Sequence, residues 1–140
     1  MKLLGRDGFR TAVFHRDGGI CVCCGEEAVD AHHILERRLF SDGGYYLANG
    51  AALCSACHLE AECTLISPEE IRRAAGIHEV LLPPGFPAGL AYDKWGNPCL
   101  SDGRRRRGPL FSDPGVRKVL YQAGVMARFA WDLEPFEPRR

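Results

Sequence analysis

Cys21-Val22-Cys23-Cys24-Gly25, then Asp30-Ala31-His32-His33-Ile34, then Asn49, then Leu53-Cys54-Ser55-Ala56-Cys57-His58: this stretch, running on to Glu62, decides how the chain is read. It holds two Cys-x-x-Cys pairs, Cys21 with Cys24 and Cys54 with Cys57. Between and beside them stand His32, His33, Asn49 and His58. Structural zinc is held tetrahedrally, commonly by two thiolates from each of two short knuckles. One such pair says little. Two pairs closing on a histidine-rich segment point to a zinc-stapled unit. Gly25 lets the chain turn tightly behind the second sulfur of the first knuckle. Cys23 adds a third thiol to that knuckle and competes with its neighbours.

Outside this stretch the composition is ordinary. A chain of 140 residues makes one domain, or one small domain with an extension. A zinc unit alone has a small core, which is where a structural metal helps. Lys and Arg number 18 against 18 Asp and Glu, so there is no overall basic signal for nucleic acid, although the charge is unevenly placed. Seven cysteines is an odd number, and the N-terminus from Met1 lacks the apolar run of a signal peptide. No stretch approaches the length of a membrane span. Metal-bound thiols in a reducing, cytoplasmic setting fit better than a disulfide framework.

Taken in order, residues 9–16 read as a short helix with Phe9 and Val13 on one stripe and Asp7 as its cap. It serves to pack on the knuckle, with Arg10 or Arg16 as minor candidates for phosphate contact. Residues 28–35 read as a strand, on which neighbouring side chains alternate. His32 and His33 would then face opposite sides, so bringing both to one site requires the strand to end or twist near His32. Gly43-Gly44 marks a turn. Ser55 is the expected cap of a helix over 56–63, on which His58 and Glu62 share a face as i and i+4. Ser67-Pro68-Glu69-Glu70 is a capping box, with Ile71, Ala74 and Ala75 facing inward and Gly76 at the stop. Pro83-Pro84-Gly85-Phe86-Pro87 excludes regular structure. Residues 92–98 form an aromatic turn, read as a plug on the core. Arg104, Arg105, Arg106 and Arg107, flanked by glycines, read as a mobile basic loop: either solvated surface or a phosphate contact. Asp113 caps a last helix with Val116, Val119, Leu120 and Ala123 inward.

The order and spacing of Cys21-x-x-Cys24-Gly25, Asp30-Ala31-His32-His33-Ile34, Gly43-Gly44, Asn49 and Leu53-Cys54-x-x-Cys57-His58 resemble the HNH endonucleases, also called ββα-metal nucleases. The resemblance covers about the first half of the chain. It implies a small α+β fold: a zinc-stapled, treble-clef-like ββα-metal core over 1–78, with a helical and irregular C-terminal extension over 79–140. It places the doubled histidine on the first strand, the asparagine before the second strand, and the last histidine on the helix. It implies His33 as general base, Asn49 as the residue that orients it, and His32 with His58 as ligands of a catalytic ion. Glu62 is a further candidate ligand.

The chemistry suits these residues. Histidine titrates near neutrality and can take a proton from water. The side-chain carbonyl of Asn49 would fix its tautomer. A divalent ion on His32 and His58, whether Mg2+, Mn2+, Zn2+ or Ni2+, would offset charge on the phosphate. A structural Zn2+ would sit on Cys21, Cys24, Cys54 and Cys57. The expected substrate is DNA, with RNA as another candidate. Alternatives stay open. His32 and His33 fit a different zinc pairing, His58 fits in place of Cys57, and Asn49-Gly50 is a common turn dipeptide. A non-catalytic zinc module that binds nucleic acid or protein needs only the cysteines.

Overall fold

A computed structural model describes residues 1–139; Arg140, the end of the expected extension, lies outside them. Phe9 and Val13, one turn apart, are both buried on α1 (Arg6–Asp17). The helix is longer than the expected 9–16. It begins after Gly5, so Asp7 lies within the first turn, where it complements the helix dipole without capping it. Gly18, with φ at 67°, closes it in the left-handed region.

β1 (Asp30–His33) pairs antiparallel with β2 (Gly50–Leu53), His32 opposite Ala51 and His33 opposite Gly50. The strand is shorter than the expected 28–35, but its ladder reaches one residue further at each end. Val29 N donates to Leu53 O (2.9 Å) and Ile34 N to Asn49 O (2.8 Å). All four residues of β2 are buried. Their side chains alternate. Ala51 and Leu53 join Cys21, Ile34, Cys57, Ala61 and Ile71 on one face, and Ala52 joins Phe9, Val13 and Ala28 on the other. The hairpin is thus a thin slab between α1 on one side and α2 (Ser55–Glu62) with α3 (Pro68–Ala75) on the other.

Gly50 allows α1 to come this close. A Cβ there would lie 2.6 Å from carbons of both Phe9 and Val13. Gly50→Ala should therefore lower stability by about 1–3 kcal/mol, the usual range for overpacking. The check is a urea melt, in which the midpoint falls while the slope holds. An unchanged midpoint would mean that α1 does not press on β2 in this way.

The helix after β2 is capped by Cys54, whose Sγ accepts from Cys57 N (3.4 Å), and not by Ser55. In α3 the capping box forms as expected, with Ser67 and Glu70 bonded reciprocally, Pro68 in the first turn and Gly76 at the stop. Its inward face differs from expectation. Ile71 is buried, but Ala74 is exposed and Arg72 is buried in its stead.

Beyond residue 78, β3 (Ala91–Tyr92) and β4 (Pro98–Cys99) make a second antiparallel pair. α4 (Pro114–Gln122) starts at Asp113, which caps it through Val116 N. A 3-10 turn over Met126–Arg128 follows, and Phe129 then bridges Arg105. Trp95, Phe111, Val116, Leu120, Val125 and Phe129 form one core cluster. Another joins Leu35 and Phe40 to Phe86, Tyr92 and Phe136, residues from both sides of position 78. Among the described residues, the fold is a small α+β arrangement of four α-helices and two small antiparallel sheets. No helix among them is long and apolar enough to cross a membrane.

Candidate metal centres and active site

The two knuckles meet. The sulfurs of Cys21, Cys24, Cys54 and Cys57 lie within 4.8 Å of one another and can hold a metal ion. The first knuckle turns at Gly25 (φ 85°), where Gly25 N donates to Cys21 O (2.9 Å) and Cys21 N to Glu26 O (2.7 Å). The second stands at the mouth of α2, so Cys54 both caps the helix and faces Cys24, Sγ to Sγ 3.5 Å. The Cys21 thiol is drawn down to about 7: burial pushes it up, but backbone hydrogen bonds from Cys54, Cys24 and Cys23 outweigh that. Cys23 lies outside the set. Burial first, and the neighbouring cysteines next, push its thiol up to about 11. The crowded first knuckle thus contributes two sulfurs, not three.

A second cluster lies on the α2 side of the hairpin. Ligand atoms of His32, His58 and Glu62 also lie within 4.8 Å of one another. His32 sits on β1 opposite Ala51, which faces α2, and its ring meets that of His58 edge-on at 5.2 Å. His32 is 1% exposed, and neither ring nitrogen finds a hydrogen-bond partner among the described residues. A buried polar group left in this way costs about 1–3 kcal/mol. Burial drives the His32 pKa well below the usual histidine range, so the ring is neutral, as a ligand must be. His58 Nε2 is 3.0 Å from Glu62 Oε1. The Glu62 hydrogen bond raises the His58 pKa against the opposing effect of burial. For Glu62, burial pushes up, but the bond to His58 and the charge of Lys94 hold its pKa below the carboxylate norm. Glu62 Oε2 is buried without a hydrogen bond, though Lys94 Nζ lies 3.4 Å away. The unpartnered nitrogens of His32 and Oε2 of Glu62, beside the His58 imidazole, are a donor set that could hold a divalent ion once His58 gives up a proton.

Asp30 belongs to the deciding motif, but the sequence assigns it no role. Its Oδ2 lies 3.1 Å from His58 Nδ1, so carboxylates face both nitrogens of that ring and favour its protonated form. The available signal was its place two residues before His32, on the same strand face.

His33 faces the other way. β1 runs regularly through it, so the expected end or twist near His32 does not occur and the two rings diverge. Its ring stacks on Phe9 (4.6 Å, 18° between planes) and meets Tyr45 edge-on (4.9 Å). Nε2 has no hydrogen-bond partner among the described residues. The ring lines an open cavity of about 430 Å3 with Arg6, Arg10, Arg37 and Tyr45, and with the carboxylates of Asp7 and Asp30. Burial, then the charges of Lys94 and Arg37, lower its pKa to about 4.

Asn49 does not orient that ring. It is buried, and its amide is spent on backbone: Oδ1 accepts from Leu35 N (3.0 Å), while Nδ2 donates to Leu35 O (3.1 Å) and Gly44 O (3.3 Å). Its own carbonyl already takes Ile34 N, so the side chain extends the ladder by one rung. It thereby pins the loop that carries Tyr45, a wall of the His33 cavity. Arg16 is likewise occupied, bonded to Asp17 and to the carbonyls of Leu47 and Gly50.

The arginine run is not a mobile loop. Arg105 is 7% exposed, with Nη1 bonded to Thr64 Oγ1 (2.6 Å) and Asp93 Oδ2 (3.2 Å). Arg104 pairs with Asp102 and Asp132. Arg106 donates to Glu134 O, and Arg107 to Leu133 O while lying over the Trp131 ring. Bridges from Arg105 to Cys99 and Phe129 fix the segment's backbone. The glycines suggested freedom, but partners distant in sequence remove it.

Lys94 also reaches the candidate centre, with no motif to mark it. It is 3% exposed, and its Nζ donates to His33 O (3.0 Å) beside Glu62. Next to it Trp95 Nε1 donates to Glu62 O (2.9 Å). The plug over 92–98 therefore also delivers a cation to the candidate centre. No local signal could reveal this, because Lys94 meets its partner 61 residues away.

Comparison with known protein families, with curated proteins and with solved structures returned no match.

Proposed function

We propose that this chain is a metal-dependent endonuclease of the HNH, or ββα-metal, kind that hydrolyses phosphodiester bonds of DNA. One observation carries the reading: the unpartnered nitrogens of buried His32 lie against His58 and Glu62, on a β-hairpin and the helix that follows it. The cysteine cluster between hairpin and helix is the place for a structural Zn2+. His32, His58 and Glu62 would hold the catalytic ion, which supplies positive charge for a phosphate oxygen and the leaving alkoxide. Their mix of imidazole and carboxylate favours Mn2+, Zn2+ or Ni2+ over Mg2+.

His33 would serve as the proton acceptor: its ring is neutral and its Nε2, though buried, has no hydrogen-bond partner among the described residues. It stands across β1 from His32, so one phosphodiester meets both only along the edge of β1 that is not paired with β2. Arg6 and Arg37 at the cavity suit the flanking phosphates, against Asp7 and Asp30 on the same lining, while Arg10 is already bonded to Val29 O. The same geometry accepts RNA.

The test is cleavage of supercoiled plasmid by zinc-loaded protein. Mn2+ or Ni2+ should support nicking, EDTA should abolish it, and excess Mn2+ should restore it. Plasmid that stays intact with Mg2+, Mn2+, Zn2+ and Ni2+ would leave a non-catalytic zinc module instead.

A further inference from the structure

We propose that Lys94 is a place-holder cation: its ammonium balances Glu62 in the metal-free protein and opposes a divalent ion at the His32, His58 and Glu62 centre. The inference rests on the metal-centre reading above, but not on cleavage.

Buried lysines are uncommon and need partners. Lys94 has three. Nζ donates to His33 O at 3.0 Å and lies 3.4 Å from Glu62 Oε2 and 3.8 Å from Glu36 Oε2. The far side of the Glu62 carboxylate, Oε1, is 3.0 Å from His58 Nε2. One carboxylate therefore stands between a fixed positive charge and the candidate ligands. An ion bound to Glu62 would bring two further positive charges against the same group. At such separations in a poorly solvated site, this repulsion is not screened away.

The backbone that carries Lys94 is tied to the same centre. Its carbonyl accepts from Glu36 N (3.0 Å), and the next residue, Trp95, is anchored to Glu62 O (2.9 Å). Glu36, with its Oε2 near Nζ, adds a second negative charge that the lysine serves. The three ligands thus bind an ion more weakly than they would without Lys94. In exchange, the centre keeps its acids paired when no ion is present. A phosphate at the site would shift the balance back toward the ion, so metal and nucleic acid should favour each other.

The experiment is calorimetric titration of Mn2+ into full-length, zinc-loaded protein, with Co2+ absorption as a second readout. Lys94→Gln keeps a donor for His33 O and removes the charge, Lys94→Met removes both, and Lys94→Arg keeps the charge. The Gln and Met variants should bind Mn2+ roughly tenfold tighter or more, and the Arg variant should match wild type. In a Glu62→Gln background, Lys94→Gln should change nothing, since the cycle isolates the pair. Equal or weaker Mn2+ binding in both neutral variants overturns the proposal, as does tightening that persists without Glu62. If the neutral variants melt early without metal, Mn2+ should raise their Tm more than it raises that of wild type. Failure to fold even in excess Mn2+ would make Lys94 a structural tie only, and the proposal falls. Plasmid that stays uncut while Mn2+ binding follows this pattern would sink the nuclease reading and leave the lysine's role standing.

Discussion

Replacing His33 by alanine should slow plasmid cleavage by roughly two to four orders of magnitude, with zinc content and DNA binding kept. The ring is the one imidazole at the site that lies outside both clusters of candidate ligands while keeping a free nitrogen. Burial and the charges of Lys94 and Arg37 lower its pKa to about 4, so it is neutral at pH 7 but a weak base until an anionic phosphate offsets those charges. The ring also packs between Phe9 and Tyr45, so its loss would loosen α1. His33→Phe separates the two effects, because it keeps a ring to stack and removes the base. Both variants should be comparably slow, and only the alanine variant should melt earlier. Wild-type cleavage rates in either would place the base elsewhere.

Cys54→Ser should remove the metal from the cysteine cluster and abolish the cooperative melt. Cys54 has two roles, as cluster sulfur and as cap of α2. Serine is among the best N-cap residues, so the substitution keeps the cap and removes only the thiolate. Structural zinc contributes an apparent ~10–16 kcal/mol to small zinc domains. That matches or exceeds the whole stability of a typical domain, roughly 5–15 kcal/mol. The measurement is zinc content by mass spectrometry beside a thermal melt, expected at about one ion per chain in wild type and none in the variant. Serine at Cys23, Cys63 and Cys99 together should leave both unchanged, since all three lie outside the cluster. A Cys54→Ser protein that melts like wild type would mean that the cluster does not staple the fold.

What the sequence disclosed was what short-range pattern can carry. Two knuckles, each closed within four residues, announced the cysteine cluster, and the i and i+4 spacing of His58 and Glu62 put both on one helix face. The capping box at Ser67 was legible for the same reason. Asn49 was legible as a key residue but not in its action. A buried amide bonds to whatever backbone lies unpaired beside it, and here that was Leu35 and Gly44. The alternation of His32 and His33 was implicit in a regular strand, and the structure keeps it. Composition misled at the arginine run, because charge and glycine describe a segment in isolation. Thr64, Asp93, Asp132 and Leu133 decide where those guanidiniums go.

The link from the turn at Asp93 back to α2 bears on how portable the first half of this chain is. Trp95 takes the carbonyl of Glu62, Lys94 the carbonyl of His33, and Arg105 the hydroxyl of Thr64, a non-glycine residue at φ 63°. The shift in composition near residue 80 looks like a seam, yet the hydrogen bonds run straight across it. A cassette cut there and grafted onto another protein would carry every motif that makes the chain recognisable. It would leave behind the atoms that hold the last turn of α2, and Glu62 with it, in place.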